Sequence, residues 1–209
     1  MSFSSNRLPY FLAIGWLLLF FWSAYQPFSR EIWVAELTPV IIVFIALAAS
    51  FSRFRFSNPA YVLMAFWIYL HTIGGHYTFS HVPFSWVSDA FGFERNHFDR
   101  MAHFTVGFYA YPVAEYVTRK RLCGPVIGSV LGLFSIMSVA AAYEIIEWLF
   151  AVIAGGDAGI EFLGVQGDVW DAQKDMLMDT SGALAAVGLF WIVRPDTRQS
   201  TQAGILREP

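Results

Sequence analysis

Asp171, Asp175 and Asp179 recur every fourth residue, a spacing that puts the carboxylates on one face of an α-helix. Asp99 and His103 repeat that spacing, and Glu144 and Glu147 stand three apart, so each pair also shares a face. Carboxylates joined by an imidazole form a donor set that suits zinc, manganese or non-haem iron. Asp99, His103, Glu144, Asp175 and Asp179 are therefore candidate ligands for a divalent metal. The spacing matches neither HExxH nor the ExxH of di-iron bundles. A second chemistry open to the same groups is a hydrogen-bonded ionic network, with His103 held by a carboxylate and Arg100 paired to an acid. A third is a proton or headgroup site. His71 and His76 flank Gly74-Gly75, where a sharp turn or a broken helix would let both reach the same place. With Arg100, Glu147 and Asp171 they complete the candidate cavity.

Side chains scattered this widely must be brought together by the elements that carry them, and composition says what those are. Of 209 residues, 56% are hydrophobic, 18% aromatic and only 14% charged, with a mean hydropathy of +0.51. Soluble domains carry about 25% charged residues. This chain has too little polar surface to cover its apolar side chains, so it reads as an integral membrane protein. A net charge of -3 and a pI near 5.9 argue against a nucleic-acid partner. The single cysteine, Cys123, excludes an intramolecular disulfide. No linker or low-complexity segment divides the chain, so residues 1–209 read as one membrane domain. No Walker loop, dinucleotide-binding fingerprint, GxSxG or CxxC is present.

A bilayer crossing needs about 20 mostly apolar residues. The expected fold class is all-α: a polytopic bundle of about six transmembrane helices, at 8–24, 37–52, 59–74, 99–117, 125–153 and 175–193. Pro39 falls in the expected first turn of the second span, and Asn58-Pro59 opens the third. The first segment lacks a small-x-small cleavage site and reads as a retained span, not a signal peptide. Orientation follows from the cations. Arg7, Arg53, Arg55, Arg119, Lys120, Arg121, Arg194, Arg198 and Arg207 fall on one side, against Arg30, Arg95, Arg100 and Lys174 on the other. Both termini are therefore expected in the cytoplasm. All acids except Glu115, Asp196 and Glu208 lie toward the outer face, as do all the histidines.

Depth sharpens this picture. At a rise of about 1.5 Å per residue, Asp179 and His103 each lie about 21 Å above the inner boundary and His71 about 20 Å. Asp99, Glu144 and Asp175 come one step higher, at about 27 to 29 Å. The apolar run 180–193 is too short to span alone, so its helix must extend back through Asp179 and Asp175. Charged groups there cost several kcal/mol against lipid and turn inward. An outward-facing acidic and histidine-bearing cavity is the expected result. Gly124, Gly128 and Gly132 form overlapping GxxxG patterns for close helix packing, either internal or between copies in a homo-oligomer. Trp86, Trp148 and Trp170 fit an interfacial aromatic belt.

The whole chain resembles the YjdF-like family of bacterial inner-membrane proteins, on HFDRMAHF (97–104), AAYEIIEW (141–148) and GDVWDAQKDMLMDTSGALAAVG (167–188). Residues 99–190 more distantly resemble the VanZ-like membrane proteins. Their pattern falls on Asp99-Arg100, His103-Phe104, Glu144 or Glu147, and Asp175-x-x-x-Asp179-x-x-Gly182, with Asp179 where that family tends to have asparagine. These resemblances imply a bacterial inner membrane, a cell-envelope role at the outer leaflet and a bearing on glycopeptide susceptibility, with no set reaction. Three functions compete. The cavity could bind a cation or an envelope lipid or glycolipid headgroup without catalysis, which is the favoured reading. It could be a metal-dependent enzyme acting on a lipid-linked substrate through metal-bound water. Or it could be a small proton-coupled transporter, though no inverted repeat is detectable.

Overall fold

The computed structural model describes residues 7–195. Asp196, Arg198, Arg207 and Glu208, which entered the charge reading, lie outside the described residues. Among the described residues the chain is all-helical, with no strand. The helices are α1 (Leu8–Ser23), α2 (Arg30–Ser50), α3 (Asn58–Tyr77), α4 (Ser85–Phe91), α5 (Phe98–Val106), α6 (Ala110–Arg119), α7 (Pro125–Ala154), α8 (Gly156–Leu163) and α9 (Asp171–Val193), with a 3₁₀ turn at Gly107–Tyr109. By length and composition, α2, α7 and α9 can cross a membrane, and α1 is a shorter apolar helix. Large apolar side chains such as Phe11, Leu18, Ile42, Phe134, Ile153 and Ile192 are exposed on their flanks. Such flanks suit hydrocarbon and would be a liability in water.

Several boundaries differ from the sequence expectation, each for a local reason. α2 starts about two turns before residue 37, because Ser29 caps it, its hydroxyl accepting from the Ile32 N–H at 3.4 Å. Pro39 thus sits inside the helix and not in its first turn. α3 does not break at Gly74-Gly75 but runs on to Tyr77. The glycines serve close approach: a Cβ on Gly74 would strike the Phe79 ring, and one on Gly75 would strike Leu37 of α2. The chain turns at Thr78 and Phe79, both left-handed, with φ of 54° and 52°. The expected span 99–117 is α5, the 3₁₀ turn and α6 in succession. Pro112 has no N–H to give the Phe108 carbonyl, which loosens the helix there. α9 begins at Asp171, a turn before residue 175. α4 and α8 lie in stretches the sequence reading left as loop.

α9 is the centre of one half of the molecule, packed on α5, α6 and α7; α3 carries α1 and α2 and also meets α5. Tyr111, Ile136, Ala183 and Phe190 form the core between α6, α7 and α9, while Trp16, Leu37, Val40 and Trp67 join α1, α2 and α3. The tightest crossing is Gly107 against Gly182. A Cβ on Gly182 would meet the Phe104 carbonyl, and one on Gly107 would meet the α9 backbone at Asp179 and Ala183. This contact, one turn along the chain from each of His103 and Asp179, lets those two side chains meet. Gly128 and Gly132 face α6 within the same chain, at Thr118 and Ala110, whereas Gly124 has open space around it.

Candidate functional site

His103, on α5, is 8% exposed and sits between two carboxylates. Its Nδ1 lies 3.2 Å from Asp179 Oδ2 of α9, and its Nε2 lies 3.6 Å from Asp99 Oδ1, one turn back on α5. The first distance is a hydrogen bond; the second is too long for a good one. Asp179 is 1% exposed, and its other oxygen, Oδ1, is buried without a hydrogen-bond partner. Asp175, one turn up on the same face of α9, is 3% exposed. Asp99, His103 and Asp175 each bring one ligand atom into a group whose members all lie within 4.8 Å of one another. Glu144 on α7 lies within electrostatic reach of His103 and Asp175, and its buried Oε1 also has no partner.

Above this group the ions are paired off. Arg100 Nη1 sits 2.6 Å from Asp175 Oδ1, an ion pair off the hydrogen-bonding angle, and donates to the Asp171 carbonyl at 2.8 Å. Arg100 Nη2 bonds the Asp171 carboxylate, which also accepts from Arg95 Nη1 at 2.6 Å. Asp168 Oδ2 takes Lys174 Nζ at 2.6 Å and Arg100 Nη2 at 3.3 Å. Arg95, Arg100 and Lys174 thus balance Asp168, Asp171 and Asp175. In the loop, hydrogen bonds from Lys174 and the Trp170 N–H hold the Asp168 carboxyl below its usual range. Burial, with Arg95 and Arg100 nearby, lowers the His97 imidazole.

A cavity of about 150 Å³ runs from Asp99, His103 and Asp179 to an opposite wall built by α2, α3 and α7. There Glu36 Oε2 pairs with His71 Nε2 at 3.0 Å and accepts from the Tyr143 hydroxyl at 2.8 Å. The Tyr143 ring stands between the imidazoles, 6.3 Å from His71 and 6.5 Å from His103. Phe162, Leu163 and Gly164 at the end of α8 cover the cavity. Glu161 anchors that cover through Thr78 Oγ1 at 3.2 Å and His81 Nδ1 at 3.0 Å. No Lys or Arg lines the cavity, while Glu36, Asp99, Glu147 and Asp179 do.

The structure therefore brings Asp99, His103, Asp175, Asp179, His71 and Glu147 to or beside one void, with Glu144 close by. Arg100 and Asp171 belong to the ion-paired cap over it. His76 is elsewhere: its Nδ1 meets the Ser23 carbonyl at 2.9 Å, tying the α1–α2 turn to the end of α3. Sequence reasoning missed Glu36, Tyr143, Arg95, Asp168 and Glu161. Glu36 carried a signal, an acid inside what a Ser29 cap turns into a bilayer-length helix. Tyr143 lay in the quoted AAYEIIEW segment. The other three lie in or beside loops, where no periodicity points to a partner.

Comparison with known proteins comes to the same class of molecule. The family model described as "Predicted membrane protein (DUF2238)" matches residues 8–196. Inner membrane protein YjdF of Escherichia coli (strain K12) is 31% identical over 202 residues, covering 93% of each chain. No solved structure matches the chain.

Proposed function

We propose, since this chain belongs to the DUF2238 family of membrane proteins, that it crosses an inner membrane several times and binds a divalent cation in its polar cavity. The carrying observation is the convergence of Asp99, His103 and Asp175 within 4.8 Å. That gap is slightly wider than an ion with ligands at about 2.0–2.2 Å would bridge, so small side-chain shifts close it. Asp179 supplies the support: a carboxylate on Nδ1 fixes the ring and turns Nε2 toward Asp99, the arrangement that backs metal-bound histidines. The charge balance favours the same reading. The cap consumes its own cations, and buried carboxylate oxygens on Asp179 and Glu144 are left without partners. Such atoms are costly unless a cation or proton meets them.

In this reading the chain is one domain of about six spans with both termini cytoplasmic. The Phe98–Arg119 run forms the fourth span and the cavity opens toward the outer leaflet. The positions left open on the ion are where an envelope lipid or glycolipid headgroup would bind. Self-association along the glycine row would have Gly124 to work with.

Metal analysis of the purified protein tests the site. About one zinc or manganese ion per chain is expected, falling to background in His103→Ala and Asp175→Ala. Asp179→Asn should weaken binding about 10- to 100-fold, as loss of a ligand-orienting partner does. His76→Ala, outside the cavity, should match wild type. A folded wild-type protein that takes up neither metal on titration would overturn the cation reading and leave protons on the acids.

A further inference from the structure

A second void, larger than the polar one, is apolar. An apolar groove of about 280 Å³ lies between α1 and α2, floored by α3. Its ends are closed by aromatic pairs. Trp16 packs on Phe44 with ring centroids 4.1 Å apart, and Tyr10 meets Phe51 edge-on at 5.5 Å. Between those pairs stand Ala13 and Ala48, too small to fill the space. Tyr10 and Ala48 are exposed, so the groove opens sideways, onto the flanks that face hydrocarbon.

One end of the groove is basic. The Arg55 guanidinium lies over the Phe51 ring at 4.8 Å. Arg53, exposed at the same end, reaches the Ala49 carbonyl at 3.5 Å, and Arg7 precedes the first turn of α1 beside Tyr10. The nearby acid, Glu115, is fully buried and committed to Ser57 at 2.8 and 2.7 Å and to Arg119. An apolar slot open to lipid along its side, with a cluster of arginines at one end, complements a molecule with an acyl chain and a negative head.

We propose that this groove seats one acyl chain of an anionic phospholipid, with its phosphate held at the basic end by Arg7, Arg53 and Arg55. Short-range attraction between basic side chains and anionic headgroups selects that lipid over a zwitterionic one. The occupant is a structural lipid, distinct from any ligand of the polar cavity, so this site stands or falls independently of the cation site.

Native mass spectrometry of the full chain reads this out, with phosphatidylglycerol or phosphatidylcholine of matched chains added. Wild type should retain one phosphatidylglycerol in preference to phosphatidylcholine. Removing charge in Arg53→Gln and Arg55→Gln should cut that preference about fivefold per arginine, with phosphatidylcholine retention unchanged. Ala48→Phe, which fills the slot, should abolish retention of both lipids. Ala48→Leu, a smaller filler, serves if the phenylalanine variant loses helical circular dichroism. Equal retention of the two lipids by wild type, or unchanged retention by a folded Ala48 variant, would overturn the proposal.

Discussion

At the scale of single residues, the polar half of the molecule divides into groups with partners and groups without. Asp171 is used up by two arginines, whereas Asp179 spends one oxygen on His103 and leaves the other bare. That difference leaves Asp179, and not Asp171, placed to support a bound ion through His103. The loop groups have their own consequence for pH. His97 has a folded value below the usual ~6.5. Its neutral form therefore goes with the folded state: this stability is present above about pH 6.5 and is lost as pH falls through the lowered value. Asp168 is also lowered, by Lys174 and Trp170. Its contribution is complete above about pH 4 and is lost only as pH falls further, through its own folded value. Thermal midpoints measured from pH 8 to pH 3 should therefore decline in two steps. His97→Gln should remove the first, and Asp168→Asn the second. An unaltered profile in His97→Gln would show that the ring does not couple to folding.

At the scale of helices, the site depends on how closely backbones approach. α5 and α9 can bring His103 to Asp179 only because Gly107 and Gly182 let the helices touch main chain to main chain. Gly182→Leu would drive a side chain into the Phe104 carbonyl, which cannot rotate away. A loss of about 3 kcal/mol, the upper end of overpacking costs, is expected, and cation binding should go with it. Gly188→Leu, six residues along the same helix where nothing lies within 4 Å of an added Cβ, is the control. It should stay within about 0.5 kcal/mol of wild type. Comparable midpoints for the two variants would mean that the crossing is looser than the structure has it. The same reasoning explains Gly74 and Gly75, read in the sequence as a break. A glycine pair permits a turn, but it also permits a helix to run on beneath a phenylalanine ring.

At the scale of the whole molecule, the helix ends sort into two sets. Ser57 meets Glu115 and the Arg55 carbonyl meets Arg119 at one end; Phe28 meets His76 and Asn96 meets Gln166 at the other. The first set carries the larger share of the basic residues. Cys123, the single cysteine, lies between α6 and α7 at that end, and exposed Ser85 belongs to the opposite end. A membrane-impermeant maleimide applied from the periplasmic side should leave wild-type Cys123 unlabelled and should label a Cys123→Ser, Ser85→Cys chain. The reverse pattern would invert the proposed topology and turn the polar cavity toward the cytoplasm.

The sequence by itself determined the membrane class, the all-helical fold class and the rows of carboxylates on shared faces. These follow from composition and from a fixed rise and pitch, which are local and need no knowledge of the fold. Only the tertiary structure decided who pairs with whom. It spent Asp171 and Arg100 in the cap, carried His76 away from the cavity, and brought Glu36 and Tyr143 from α2 and α7 to His71. Pairing is a contest among groups far apart in the chain, settled by where helices can approach. Here small residues at the crossings, Gly107, Gly182 and Gly75 above all, set that approach, and nothing in helical periodicity says which partner waits on the other side.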